Sequence, residues 1–212
     1  MTVQTRIKSA KPVSGILPVG LAGGANVRTP CGPRRVENLR RGDLIVTRKD
    51  GLQPLRMIFS RTVTDAEMAA DPSLAPILLR QRAVGPMMPQ TPLRLASGHR
   101  VLVPGYRLGG LEDRDVALVQ ARDIAGTSDA SFVDRSFDRV TYFNLIFDTH
   151  QVFTANGLPV ESYLPSTANI CALDERIRRD MKAHLPETAL EGAYPGPEYK
   201  LIDDPDYRPD FA

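Results

Sequence analysis

Between Arg139 and Leu164 the chain reads RVTYFNLIFDTHQVFTANGLPVESYL, a run dominated by β-branched and aromatic residues. Val140, Tyr142, Leu145, Phe147, Val152 and Phe153 suit a pleated, half-buried surface. A polar step, Asp148-Thr149-His150, divides the run, and Asn156-Gly157 marks a second turn. The segment predicts two or three short antiparallel strands with a histidine beside a turn, and so a β-built core.

Composition supports this reading. Eighteen prolines and sixteen glycines against no tryptophan imply many turns, which favours β structure over a helical bundle. At 212 residues and 42% hydrophobic content, the chain suits one domain of medium size with tails, or one domain plus a small appendage. A formal charge of +2 is too small to drive binding to nucleic acid or a membrane surface. The pairs Arg34-Arg35 and Arg40-Arg41 and the cluster at Arg176, Arg178 and Arg179 read as solvated faces. Cys31 and Cys171 have no metal-ligand spacing, and both a disulfide and a reduced pair fit. The first twenty residues lack an apolar run of secretory length, and no later stretch has the length of a bilayer span. The expectation is a soluble protein, cytoplasmic by default, with leaderless export left open.

Along the chain, residues 1–19 form a polar, basic, proline-broken lead-in. Short strands follow around Val27 and from Leu44 to Thr47. Pro30-Cys31-Gly32-Pro33 and Gly42-Asp43 are the turns between them. Asp50-Gly51 turns the chain into a mostly β ribbon from Leu52 to Val63. Thr64-Asp65-Ala66-Glu67 has the capping-box pattern and predicts a short helix near 64–71. A strand through Ile77–Arg80 and a loop over 85–92 come next, then a strand–turn–strand unit from Leu93 to Val103 with Gly98-His99 at its bend. Residues 104–115 read as a polar, glycine-rich insertion, the least ordered part of the core. Leu173, Ile177, Met181 and Leu185 form a single apolar stripe and predict a helix near 173–185, stopped by Pro186. Residues 187–212 hold Tyr194, Tyr199, Tyr207 and Phe211 among prolines and acids. They predict an extended tail, either draped over the core or docking a protein partner.

A short internal echo runs through these elements. Val36-Glu37-Asn38-Leu39 before Gly42 resembles Val119-Gln120-Ala121-Arg122 before Gly126: a strand end, one turn and a glycine in series.

Gly24, Val27-Arg28-Thr29-Pro30, Gly32-Pro33, Val36-Glu37-Asn38-Leu39, Gly42-Asp43, His99-Arg100-Val101-Leu102 and the stretch from Tyr142 to Glu161-Ser162 occur in an order that resembles the Hint domain, the Hedgehog/intein self-processing fold. The likeness covers residues 20–164 and is closer to a bacterial subgroup that also carries the late helix. It implies an all-β horseshoe of short antiparallel strands and hairpins over 20–164, with residues 165–186 as a helix packed on that core.

The resemblance also implies a chemistry. In this family a cysteine or serine at the domain's first residue attacks the preceding carbonyl, turning a peptide bond into a thioester or ester. A histidine protonates the leaving nitrogen, usually with a hydroxyl residue three positions before it, and a late strand pair supplies a second histidine or an aspartate. Inteins end on a histidine-asparagine pair whose asparagine cyclises. On this chain the nucleophile position is Gly20, which has no side chain. His99 takes the position of the protonating histidine, with Ala96 three before it and Ser97 adjacent. His150 and Asp148 are the candidates for the late group, and Glu161-Ser162 replaces histidine-asparagine. Cys31, eleven residues from Gly20, and Ser14 upstream are the nearest other nucleophiles. His99, His150 and Cys31 have no metal signature in their spacing, and no cofactor is implied. His184 reads as a helix-end residue.

Three functions fit these residues. One is a Hint protein no longer able to process itself and serving as a scaffold or interaction module. A second is an active self-cleaving protein with His99 as acid/base. The third is a β-rich binding domain only superficially similar to the family.

Overall fold

The computed structural model describes residues 18–185 and 194–208. Residues 1–17 of the lead-in, including Ser14, and residues 186–193 and 209–212, including Pro186 and Phe211, lie outside them. Two sheets and a small ribbon carry the rest. One sheet orders its strands as Ser131–Val133, Ile77–Leu79, Leu93–Leu95, Leu21–Ala22, Arg139–Ile146 and Met57–Thr64. The other runs Lys200–Ile202, Val116–Gln120, Arg100–Pro104, Leu158–Glu161, Val152–Ala155, Asn26–Thr29 and Gly32–Arg35. Leu44–Val46 and Leu52–Pro54 pair separately. The all-β fold expected from the sequence is the fold observed, with few and short helices.

Residues 139–164 yield three strands divided between the two sheets. Arg139–Ile146 pairs along its whole length with Met57–Thr64, from Arg139 opposite Thr64 to Ile146 opposite Met57. The chain then crosses to the other sheet, where Val152–Ala155 and Leu158–Glu161 form a hairpin. Its two-residue loop needs positive φ at both positions, which Asn156 (+49°) and Gly157 (+80°) adopt at little steric cost. Phe147 and Phe153, on either side of the crossing, are buried with ring centroids 6.0 Å apart. Burying two such rings stabilises the crossing by roughly 3–6 kcal/mol.

The ribbon expected from Leu52 to Val63 divides at Leu55-Arg56. The Leu55 amide donates to the Asp43 carbonyl, while the Arg56 amide donates to Ile146, handing the chain from the small ribbon to the large sheet. The helix Asp65–Ala70 starts at the predicted capping box. The Thr64 hydroxyl accepts from the Glu67 amide, and the Glu67 carboxylate accepts from the Thr64 amide.

The helix expected near 173–185 is observed as Glu175–His184, its first turn capped by the Asp174 carboxylate, which accepts from the Ile177 amide. Two other stretches depart from expectation, the first being 165–174, where a separate short helix, Thr167–Cys171, precedes that cap. The apolar stripe holds across the break. Leu173, Ile177, Met181 and Leu185 pack against Phe59, Ile146 and Tyr163. Residues 104–115 are not loose. The turn Gly105–Arg107 is closed by the Leu108 amide donating to the Gly105 carbonyl, the Gly105 amide donates to the Asp115 carbonyl at the other end of the segment, and Leu108 is buried. Leu111 also packs on the core, so a segment polar in composition still has apolar anchors.

The described part of the tail lies on the chain's own core. Tyr194 donates its hydroxyl to the Phe147 carbonyl and Tyr207 to that of Ala83. Between them Lys200–Ile202 extends the second sheet, in a parallel pairing, beside Val116–Gln120. Among the described residues no helix is long and apolar enough to cross a membrane.

Candidate functional site

Gly20 stands just ahead of Leu21–Ala22, a strand between Leu93–Leu95 and Arg139–Ile146. Main-chain bonds fix it against the bend at 96–99. The Ala96 amide donates to the Gly20 carbonyl and the Gly98 amide to the Pro18 carbonyl, each at 2.9 Å. The Val19–Gly20 peptide is therefore clamped from both sides, and two side chains address the peptide itself. His99 Nδ1 accepts the Gly20 amide hydrogen at 3.2 Å, and Asn144 Nδ2 donates to the Val19 carbonyl oxygen at 3.2 Å.

Both side chains are buried. His99 is held well below the usual histidine range, at about 4. Desolvation is the main cause, Glu161 opposes it, and Arg100 and His150 add to it. At neutral pH its ring is uncharged, and since Nδ1 is an acceptor the proton sits on Nε2. Nε2 is buried without a hydrogen-bond partner among the described residues.

The expected late histidine joins this neighbourhood through Glu161. His150 Nε2 lies 3.4 Å from Glu161 Oε2, within ion-pair distance but not aligned as a hydrogen bond. The other carboxylate oxygen accepts from the Arg100 amide at 3.0 Å. The Arg100 guanidinium reaches out to Asp203 of the tail at 2.9 Å. Glu161, read from sequence only as a replacement, is thus the buried charge tying His150 to the residue after His99. Beside it the Ser162 hydroxyl accepts from the Gln151 amide.

Other candidates sit elsewhere. The Asp148 carboxylate makes an exposed two-pronged pair with Arg56, at 2.7 and 2.6 Å, on the outer side of the strand crossing. Cys31 and Cys171 are both exposed and unbridged. His184 bonds to the Asp180 carbonyl within its helix. Ala96 packs in an apolar cluster with Ala22, Val63, Val140 and Tyr142, and the Ser97 hydroxyl is committed to the Ser73 carbonyl at 2.6 Å. No hydroxyl thus replaces the one expected three positions before His99. Among the described residues no group of three or more His, Cys, Asp or Glu is placed to hold a metal ion.

Asn144 was not among the sequence candidates. Its signal was an amide in the middle of an apolar strand, between Phe143 and Leu145, where asparagine is disfavoured unless it has a partner. Asn144, Val19 and Tyr142 also line a cavity of about 830 Å³ whose far wall includes Tyr163, Leu173 and Ile177.

Comparison with known proteins finds a family model over most of the chain. A family model described as the Hint domain matches residues 19–167. No curated protein matches the chain. Among solved structures, the gp41-1 intein crystal structure is similar at 12% identity and TM-score 0.40, over 68% of this chain and 98% of that one. A bacterial intein-like domain from Clostridium thermocellum is similar at 11% identity and TM-score 0.42, over 70% and 100%. The MchDnaB-1 intein (N145AA) is similar at 9% identity and TM-score 0.40, over 68% and 99%.

Proposed function

We propose, from the premise that the chain belongs to the Hint domain family, that it is a member retired from self-processing and working as a scaffold or interaction module. The observation that carries this reading is the state of Gly20. The residue has no side chain to attack Val19, and its surroundings have closed over the place where one would be. A Cβ there would lie 3.0 Å from the Phe143 carbonyl oxygen and from Tyr142 Cβ, on a backbone with φ of +131° that L side chains rarely adopt. Glu161-Ser162 at the other end offers no asparagine to cyclise. A scaffold role is in keeping with the wide cavity beside Val19.

Self-cleavage with His99 as acid/base is the second reading, and the His99–Gly20 contact favours it. To release the Gly20 nitrogen, His99 must donate from the atom that now accepts. That requires the imidazolium, which burial confines to pH near 4. The two readings separate in one experiment. The full chain with a reporter domain fused ahead of Met1 is incubated from pH 8 to pH 4, with and without thiol or hydroxylamine, and its intact mass is recorded. An unchanged mass throughout is the expected result. Release of everything before Gly20, faster towards pH 4, would replace the first reading by the second.

A further inference from the structure

We propose that Asn144 has taken over the space of the missing nucleophile and locks the Val19–Gly20 peptide in place. The inference rests on the reading that the site no longer processes itself, and it names the residue responsible. One atom, Asn144 Nδ2, meets two conditions at once. It donates to the Val19 carbonyl oxygen at 3.2 Å, and it lies 3.1 Å from the point a Cβ on residue 20 would occupy. The amide therefore stands where an attacking side chain would have to pass.

The same bond dictates the backbone. A peptide plane is rigid, so fixing its oxygen and its hydrogen fixes the rotations on either side. Asn144 holds the oxygen and His99 takes the hydrogen, while the Gly98 and Ala96 amides hold the carbonyls of Pro18 and Gly20. With the plane set this way, φ at residue 20 is +131°, a value glycine adopts freely and other residues do not. Asn144 and Gly20 thus form a matched pair: the asparagine imposes a conformation only glycine accepts, and the glycine leaves room for the asparagine. Asn144 itself is placed by the long pairing of Arg139–Ile146 with Met57–Thr64, where it stands opposite Phe59.

The test needs no ligand. The chain contains two Val-Gly steps, Val19-Gly20 and Val84-Gly85. Labelling valine carbonyl carbon and glycine nitrogen therefore gives two carbonyl–amide correlations, one reporting the junction and one serving as control. Asn144→Ala should move the Val19–Gly20 signal, with the carbonyl shifting upfield as it loses its donor, and leave Val84–Gly85 in place. Thermal unfolding of Gly20→Ala, Asn144→Ala and the double variant then measures the pairing. Gly20→Ala alone should lower Tm by roughly 3–10 °C, and in the Asn144→Ala background by measurably less, the part that remains coming from the Phe143 carbonyl oxygen and Tyr142 Cβ. A Val19–Gly20 signal unmoved by Asn144→Ala would overturn the lock, and so would additive losses in the double variant. If Gly20→Ala does not fold, the labelled Asn144→Ala spectrum still decides. Cleavage of the unsubstituted chain would instead sink the retired-site reading, so the two failures are distinguishable.

Discussion

The imidazole of His99 accepts a hydrogen bond from the Gly20 amide across seventy-nine residues of sequence, from a ring only 4% exposed to solvent. An acceptor in that position works only while the ring is neutral. Burial and this bond therefore favour the same protonation state, and acid opposes both.

The first prediction is the pH dependence that follows. In the unfolded chain His99 takes up a proton around its ordinary 6.5, and in the folded protein only near 4. Between those values the unfolded state binds more protons, so stability falls as pH is lowered through that window. Above pH 6.5 the ring is neutral in both states and contributes no slope. The loss attributable to His99 by pH 4 is about 3 kcal/mol. Urea titrations from pH 8 to 4.5 should show it, and His99→Gln should remove that part of the slope even if it lowers the plateau. An identical acid slope in the variant would assign the effect to other groups.

Glu161 should behave as a structural charge. Its two oxygens face the Arg100 amide and His150, so Glu161→Ala leaves the Arg100 amide without its acceptor and should cost about 1–3 kcal/mol by denaturant titration. Glu161→Gln keeps an acceptor for the Arg100 amide and should cost less. Because the Glu161 charge raises the pKa of His99, the Gln variant should also carry the His99 acid slope to lower pH. An unshifted acid limb would show that the two groups are not coupled.

Asp148 should matter much less. Its pair with Arg56 is well formed, but both side chains are close to half exposed, and such pairs contribute about 0–1 kcal/mol. Asp148→Asn should unfold within about 1 kcal/mol of the unsubstituted protein at low salt and coincide with it at high salt. A loss of several kcal/mol would mean that the carboxylate supports the strand crossing in a way its exposure does not suggest.

The contrast between Asp148 and Asn144 marks what can be read from the sequence. Local signals carried the fold: the β-rich run at 139–164, the Asn156-Gly157 turn and the Thr64–Glu67 capping box each act over a few residues. Gly20 and His99 stand out in the sequence only through family likeness, by their positions in an ordered set of short matches. Roles set by long-range contacts were not legible. Asp148 sits beside His150 in sequence, but its partner Arg56 comes from ninety-two residues upstream. Asn144 is a single amide in an apolar strand, and only the folded register sets it against Val19. The Asp174 cap was visible in principle, since an acid ahead of an apolar helical stripe is a start signal. Leu173, in register with the stripe although it precedes the cap, masks that signal.

The described part of the tail gives the last prediction, because a segment that could have reached for a partner is held by the chain itself. Tyr207 is buried at 5% exposure with its hydroxyl on the Ala83 carbonyl, and it anchors the stretch that follows Lys200–Ile202. That strand covers the edge formed by Val116–Gln120, which would otherwise present unpaired main-chain groups. Tyr207→Phe removes one hydrogen bond and should cost about 1 kcal/mol. Tyr207→Ala empties a core position and should cost about 3–5 kcal/mol. Hydrogen exchange distinguishes a local from a global effect. If the tail is a strap on this edge, Tyr207→Ala should accelerate exchange over residues 116–120 and 200–202 while the hairpin at 152–161 stays protected. Uniform acceleration across the chain would instead make Tyr207 part of the main core, with no separate opening of the edge for a second strand to exploit.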